Sequence, residues 1–183
     1  FFDGEWQKVK GIEVDGIYDK FHYGPETVDL KKEIAEELGL LNHPDLEELC
    51  KDKLLTYRRF SEWVPETREA SDENIEEMLD DYGKVVLKPR YDYGGAGIDI
   101  IDAEKVIPDF KDDYIVQRFI DSSSGFKDLV TGYHDVRAIV VNGKLLSSYL
   151  RYNSDSEISN VQQGGTKKAI SVSEFPEEAQ NIV

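Results

Sequence analysis

Lys84–Ile98 reads KVVLKPRYDYGGAGI. A β-branched run, Val85-Val86-Leu87, ends in Lys88-Pro89, and the small residues Gly94-Gly95-Ala96-Gly97 follow. A strand that delivers a lysine to its end and then opens into small residues suits polyphosphate binding. The backbone N–H groups of such a loop close on oxygens that a Cβ would keep away, while the ammonium neutralises charge. Because the lysine precedes the glycines and no helix opens on them, the stretch is neither G-x-x-x-x-G-K-[ST] nor G-x-G-x-x-G. A plain hairpin turn accounts for one glycine, not for three in four positions.

Outward from this stretch the periodicities alternate between helix and strand. Residues 10–23 alternate apolar and polar, which predicts a strand or hairpin after Gly11. Helical spacing of Val28, Leu30, Ile34, Leu38 and Leu41 predicts a helix over 27–40, stopping near Gly39. A second helix is predicted over 45–63, entered through Pro44 and ended by Pro65, with Leu46, Leu49, Cys50, Leu54, Phe60 and Trp63 on its buried side. Ser71-Asp72 caps a third over 73–82. Strands are expected at 85–87, 98–101 and 114–120, then a hairpin of 136–141 and 144–152 around Asn142-Gly143. The polar segment 153–165 reads as a mobile loop, followed by a strand at 168–172 and a helix from Pro176. The class is α+β, with mainly antiparallel strands in the second half.

A chain of 183 residues, 39% hydrophobic and 11% aromatic, supports one packed domain or one and a fraction. A net charge of −16 argues against a nucleic-acid partner and otherwise reads as a solvated surface. The single cysteine, Cys50, excludes an internal disulfide and fits a reducing, cytoplasmic compartment. On the apolar side of its predicted helix it reads as a buried structural thiol. No apolar stretch reaches membrane-spanning length and no signal peptide is visible, so no membrane partner is expected. His22 and His43 belong to no constellation, and no histidine–cysteine metal cluster exists in the sequence. The start at Phe1-Phe2 reads as that of a fragment.

In order along the chain stand Asp52-Lys53, Pro65-x-Thr67, Val86-Leu87-Lys88-Pro89, the glycine loop and Val116-Gln117-Arg118-Phe119-Ile120. His134-Asp135-Val136-Arg137, Arg151 and Asn160 with Gly164-Gly165 complete the series. This order resembles the ATP-grasp superfamily, nearest the branch of the ribosomal-protein glutamate ligase, glutathione synthetase and the spore-coat-associated proteins. The resemblance covers residues 45–170. It implies an ATP-grasp fold of two α+β subdomains whose antiparallel sheets grip ATP. Residues 1–44 would be the tail of a preceding domain, 45–112 the small subdomain, and 113–183 part of the large one.

Residue by residue, the resemblance implies that Lys53 and Lys88 reach the ATP phosphates, a triphosphate needing cations on separate elements. Taken alone, Lys53 also reads as an ordinary exposed helix lysine, whereas Lys88 is badly placed for solvent display. Tyr93, Gly94, Gly95, Ala96 and Gly97 would close over the β- and γ-phosphates. Gln117, Arg118, Phe119 and Ile120 would form the hinge that bonds adenine through its backbone, with Phe119 and Ile120 shaping an apolar slot. Arg118 stands where the family usually shows an acidic residue. Asp121 and Asp128 are alternative acceptors for the ribose hydroxyls.

Alternation puts Asp135 and Arg137 on one face of a strand, where they orient one another, flank a ligand, or form a plain surface ion pair. The resemblance implies that Arg137 and Arg151 face the acceptor carboxylate or the transferred phosphate, which planar guanidinium forks match. Asn160, with Gln162, Gly164 and Gly165, resembles the loop over the reacting centre. Magnesium is implied with ATP, its ligands expected beyond Val183, since Glu174, Glu177 and Glu178 read as helix-start charges. The chain would then hold most of a nucleotide clamp and fall short of a competent catalyst.

The implied activity joins a small-molecule or peptide carboxylate to an amine or thiol through an acyl phosphate. No protein nucleophile is needed, which agrees with the lack of any Ser/His/Asp or Cys/His arrangement. A nucleotide-binding module without ligase activity and a small-molecule kinase of the same fold stay open. The acceptor and the oligomeric state are not legible in the residues.

Overall fold

The computed structural model describes residues 4–5, 8, 10–20, 25–92 and 94–180. The first strand, β1 (Gly16–Tyr18), pairs in parallel with β2 (Gly39–Leu41), and α1 (Pro25–Glu37) makes the crossover that a parallel pair requires. Gly16 faces Gly39 so closely that a Cβ would sit 3.0 Å from its carbonyl oxygen. Two expectations are corrected here. Only three residues of the alternating stretch form a strand, and it is not a hairpin; residues 21–23, with His22, lie outside the described residues. The predicted first helix ends at Glu37, and Leu40 and Leu41 belong to β2, their apolarity serving strand rather than helix.

The predicted helix over 45–63 is two helices, α2 (Pro44–Lys51) and α3 (Lys53–Arg59). Asp52 breaks the run by turning extended and accepting from the N–H groups of Leu54 and Leu55 at 3.0 and 3.1 Å. A single periodicity read through this break assigns the wrong faces. Leu54 is buried, but Cys50 is exposed, as are Leu46, Phe60 and Trp63. The expected structural thiol is therefore a surface one.

α4 (Asp72–Tyr82) starts on a Ser71 cap and stops at Gly83, whose φ of 71° closes the last turn. Its Ile75 and Met78 are fully buried against a four-stranded antiparallel sheet. The strands are β3 (Thr67–Glu69), β4 (Lys84–Pro89), β5 (Asp99–Asp102) and β6 (Tyr114–Arg118), in the order β3-β6-β4-β5. Val85 and Leu87 of β4 join Ile101 and Val116 in the core under α4. By the pleat, Lys84, Val86 and Lys88 occupy the opposite face, and Gln117 and Thr67 lie level with Val86 on it. β3 had no strand expectation. β6 lies between β3 and β4, so this sheet runs across the expected division at 112/113.

The third sheet is β7 (Tyr133–Val141), β8 (Lys144–Asn153) and β9 (Thr166–Ile170), antiparallel throughout. Asn142 and Gly143, at φ 50° and 67°, make the predicted turn. Val130, Leu150 and Ile170 form its core. A short helix, α5 (Glu177–Gln180), follows Pro176. The architecture is α+β, as expected.

Met78→Ala should cost about 2–5 kcal/mol of stability in urea unfolding, because it opens a cavity between α4 and the sheet. Val106→Ala, at a side chain 91% exposed, should stay within about 0.5 kcal/mol.

Candidate functional site

The face of the four-stranded sheet turned away from α4 carries a linear chain of polar side chains. Lys88 Nζ donates to Gln117 Oε1 at 2.6 Å, and Gln117 Nε2 donates to Thr67 Oγ1 at 2.7 Å. The Thr67 hydroxyl in turn donates to the Pro65 carbonyl at 2.8 Å. Burial pushes the Lys88 ammonium down to about 8, and the nearby Lys53 charge adds to that depression.

Lys53 opens α3, and its ammonium donates to three carbonyls at the root of the glycine loop: Pro89 at 2.9 Å, Arg90 at 3.1 Å and Asp92 at 2.7 Å. Burial lowers its pKa, opposed by Asp92 and Asp52. α3 is tied to the same root by Arg90, which grips the Asp52 carboxylate with Nε at 2.7 Å and with its second terminal nitrogen. Lys53 is thus no freely exposed helix lysine. Lys31, Lys84, Arg90 and Arg151 are paired with carboxylates, whereas Lys53 and Lys88 donate to neutral oxygens. Both ammonium groups are thus held by neutral acceptors, and burial disfavours their charged forms.

The loop itself turns at Gly94, Gly95 and Gly97, all with positive φ, and Ala96 is exposed; Tyr93 lies outside the described residues. A side chain at Gly94 would run into the Gln162 amide oxygen, and a Cβ on Gly95 would stand 3.1 Å from Gln163 and 3.3 Å from Asn160 Nδ2. The glycine loop and the polar loop after β8 thus abut, 66 positions apart for Gly94 and Asn160. Asn160 accepts from Gln162 N–H at 3.0 Å, capping a short 3₁₀ turn (Val161–Gln163) that Gly164 closes. The segment 153–165, read as a polar mobile loop, contains this structured turn.

Of residues 117–120, expected as a hinge, the first three are tied to the sheet. Gln117 lies inside the ladder with its side chain on Lys88, Arg118 N–H donates to Glu66 O at 2.9 Å, and Phe119 N–H to Lys84 O at 3.3 Å. The chain leaves the ladder at Ile120, which is exposed. Arg118 lays its guanidinium over the Tyr82 ring, 5.0 Å from the centroid, so its side chain is committed to α4. Asp121 accepts from Ser123 N–H at 2.8 Å, and this bonding holds its pKa below the usual range.

On β7 and β8, Asp135 is the centre of a cation pair. Arg151, directly opposite, donates Nε at 3.0 Å to both carboxylate oxygens and a terminal nitrogen at 2.6 Å to Oδ2. Arg137 Nε adds 3.1 Å and the Ser159 hydroxyl 2.6 Å. Burial opposes the ionised carboxylate, but Arg151 and Ser159 outweigh it and hold its pKa below the usual range. His134 is structural: its Nδ1 lies 3.0 Å from Ser122 O and its ring packs on Phe126.

A second cluster escaped the sequence reading. Lys84 Nζ bonds Glu157 at 2.6 Å and lies 5.1 Å from the Phe119 ring centroid, and the Tyr133 hydroxyl donates to the same Glu157 oxygen at 3.2 Å. It ties the start of β4 to the polar loop beside the hinge. Its parts lie 73 positions apart, and no local pattern announces them. A magnesium ion finds no fit among the described residues. No three of His, Cys, Asp and Glu gather there, and Asp135 spends its oxygens on the two arginines and Ser159. No helix of the described residues is long and apolar enough to cross a membrane.

The family model for the prokaryotic glutathione synthetase ATP-grasp domain matches residues 52–182. Glutathione synthetase of Brucella melitensis biotype 1 is 25% identical over 150 residues, covering 76% of this chain and 45% of that protein. The chain therefore spans less than half the length of this curated relative.

Asp135 binds a proton less readily folded than unfolded, so its contribution is complete above its unfolded value of 3.8 and is lost as pH falls through the lower folded value. Asp135→Asn should lower stability by about 1–3 kcal/mol at neutral pH, leaving Arg151 half-satisfied. It should also flatten the fall in urea midpoint below about pH 4. An acid limb identical to the parent's would assign that fall to other carboxylates.

Proposed function

The chain belongs to the prokaryotic glutathione synthetase ATP-grasp family, and from that premise we propose that its parent protein is an ATP-dependent carboxylate–amine (or carboxylate–thiol) ligase. The observation that carries this reading is the pair of ammonium groups, Lys88 held by the Gln117 amide oxygen and Lys53 held by carbonyls at the root of the glycine loop. A protein of net charge −16 that keeps two adjacent cations unneutralised has arranged them for an anion. Three glycines with positive φ present N–H groups to its oxygens.

In this reading Lys88 and the Gly94–Gly97 loop hold the ATP phosphates, with Lys53 exchanging loop carbonyls for phosphate oxygen. Ile120, the first residue beyond the ladder, offers its backbone to adenine, and Phe119 forms the wall of the slot. Residues 1–44 are the tail of a preceding domain. The carboxylate substrate takes the γ-phosphoryl group and releases ADP; an amine or thiol then displaces phosphate from the acyl phosphate. Arg137 and Arg151, oriented by Asp135, stabilise charge on the acyl phosphate and its tetrahedral successor, and Asn160 shapes the loop above it. Catalysis rests on positioning and charge rather than on a nucleophile.

Calorimetry of ATP binding tests the clamp. Lys88→Gln and Lys53→Gln should each weaken affinity by about tenfold or more, the loss of a charge-assisted phosphate contact. Parental affinity in both variants would remove the phosphate site from these lysines. Ligation itself is read as ADP release by the full-length protein with carboxylate and amine pairs, mass spectrometry distinguishing an amide from a phosphate ester or from no product.

A further inference from the structure

We propose that Gln117 and Thr67 are positioning residues for Lys88, forming a directed relay that aims its remaining N–H donors at a phosphate. The inference rests on the ATP-binding reading above and assigns Gln117 a side-chain role in place of an adenine contact.

The direction of the relay is dictated from its far end. The Pro65 carbonyl only accepts, so the Thr67 hydroxyl spends its single proton there at 2.8 Å. Thr67 Oγ1 then accepts from Gln117 Nε2 at 2.7 Å, which turns the other end of the amide, Oε1, toward Lys88 at 2.6 Å. A flipped amide would set its NH₂ against the ammonium, donor against donor, and its oxygen against a hydroxyl with no proton left to give. One of three Lys88 donors is thereby fixed, and the tetrahedral ammonium fixes the directions of the other two. Thr67 is buried, 2% exposed, on strand β3, which pairs with β6 at this register. The acceptor is an amide, and so steers the cation without neutralising it; a carboxylate would do both.

The charged group facing Lys88 is Lys53 on α3, itself acted on by Asp52 and Asp92, while Arg90 is taken by Asp52. With Lys88 depressed to about 8, ATP affinity should fall as pH rises through that region. Removing the Gln117 acceptor, or giving it a charge, should move the midpoint of this fall. Gln117→Leu removes the acceptor, so affinity at pH 7 should drop about tenfold and the midpoint should move to lower pH. Gln117→Glu should move the midpoint to higher pH while weakening ATP through charge cancellation. Thr67→Ser, which keeps the hydroxyl, should behave as the parent, and Thr67→Val should follow Gln117→Leu.

Packing damage alone would not shift the midpoint in opposite directions for Leu and Glu. Calorimetry on the full chain between pH 6 and about 10 makes the measurement. Coincident midpoints in parent, Gln117→Leu and Gln117→Glu, with ATP still bound, would overturn the relay and leave the ATP reading standing. A parent that takes up no ATP would overturn both.

Discussion

Everything at the candidate site depends on the pleat of β4. Hydrogen-bonded on one edge to β6 and on the other to β5, this strand has no freedom to rotate. The burial of Val85 and Leu87 beneath Ile75 and Met78 fixes its face. Each buried apolar side chain contributes about 1.5–3 kcal/mol, whereas a one-residue slip would put those side chains in solvent and a lysine in the core. Lys88 therefore faces the opposite side, diagonal to Gln117 of the neighbouring strand. The hydrophobic core thus aims the cation.

Charge is handled in two ways. Lys31, Lys84, Arg90 and Arg151 are among the cations that meet carboxylates. Lys53 and Lys88 are held by carbonyl and amide oxygens, at a desolvation cost visible in their lowered pKa values. A neutral acceptor holds an ammonium in place and leaves its charge unspent. The Asp52–Arg90 pair supports this arrangement by joining α3 to the root of the glycine loop, so both lysines are referred to one rigid corner.

Much of this was legible locally. The β7–β8 hairpin followed from Asn142-Gly143, α4 from its Ser71 cap and its acidic first turn, and the glycine loop from its composition. Where readings failed, a local device had overridden periodicity. Asp52 split one predicted helix into two and rotated Cys50 to the surface. β2 borrowed the leucines of a predicted helix because a parallel partner at β1 was available to pair with them. The segment 153–165 read as mobile, but part of its order comes from Asn160 capping a turn and from Glu157 bonding Lys84.

The order of motifs along the chain carried the family resemblance, and most element types were written in neighbouring residues, because capping, turn chemistry and strand alternation act over a few positions. The role of the Gln117 side chain, the carbonyl cage around Lys53 and the meeting of Asn160 with the glycine loop were not. Each joins positions tens of residues apart. Their distances are set by sheet register and by which face the core has already claimed, and both are decided only when the strands pair.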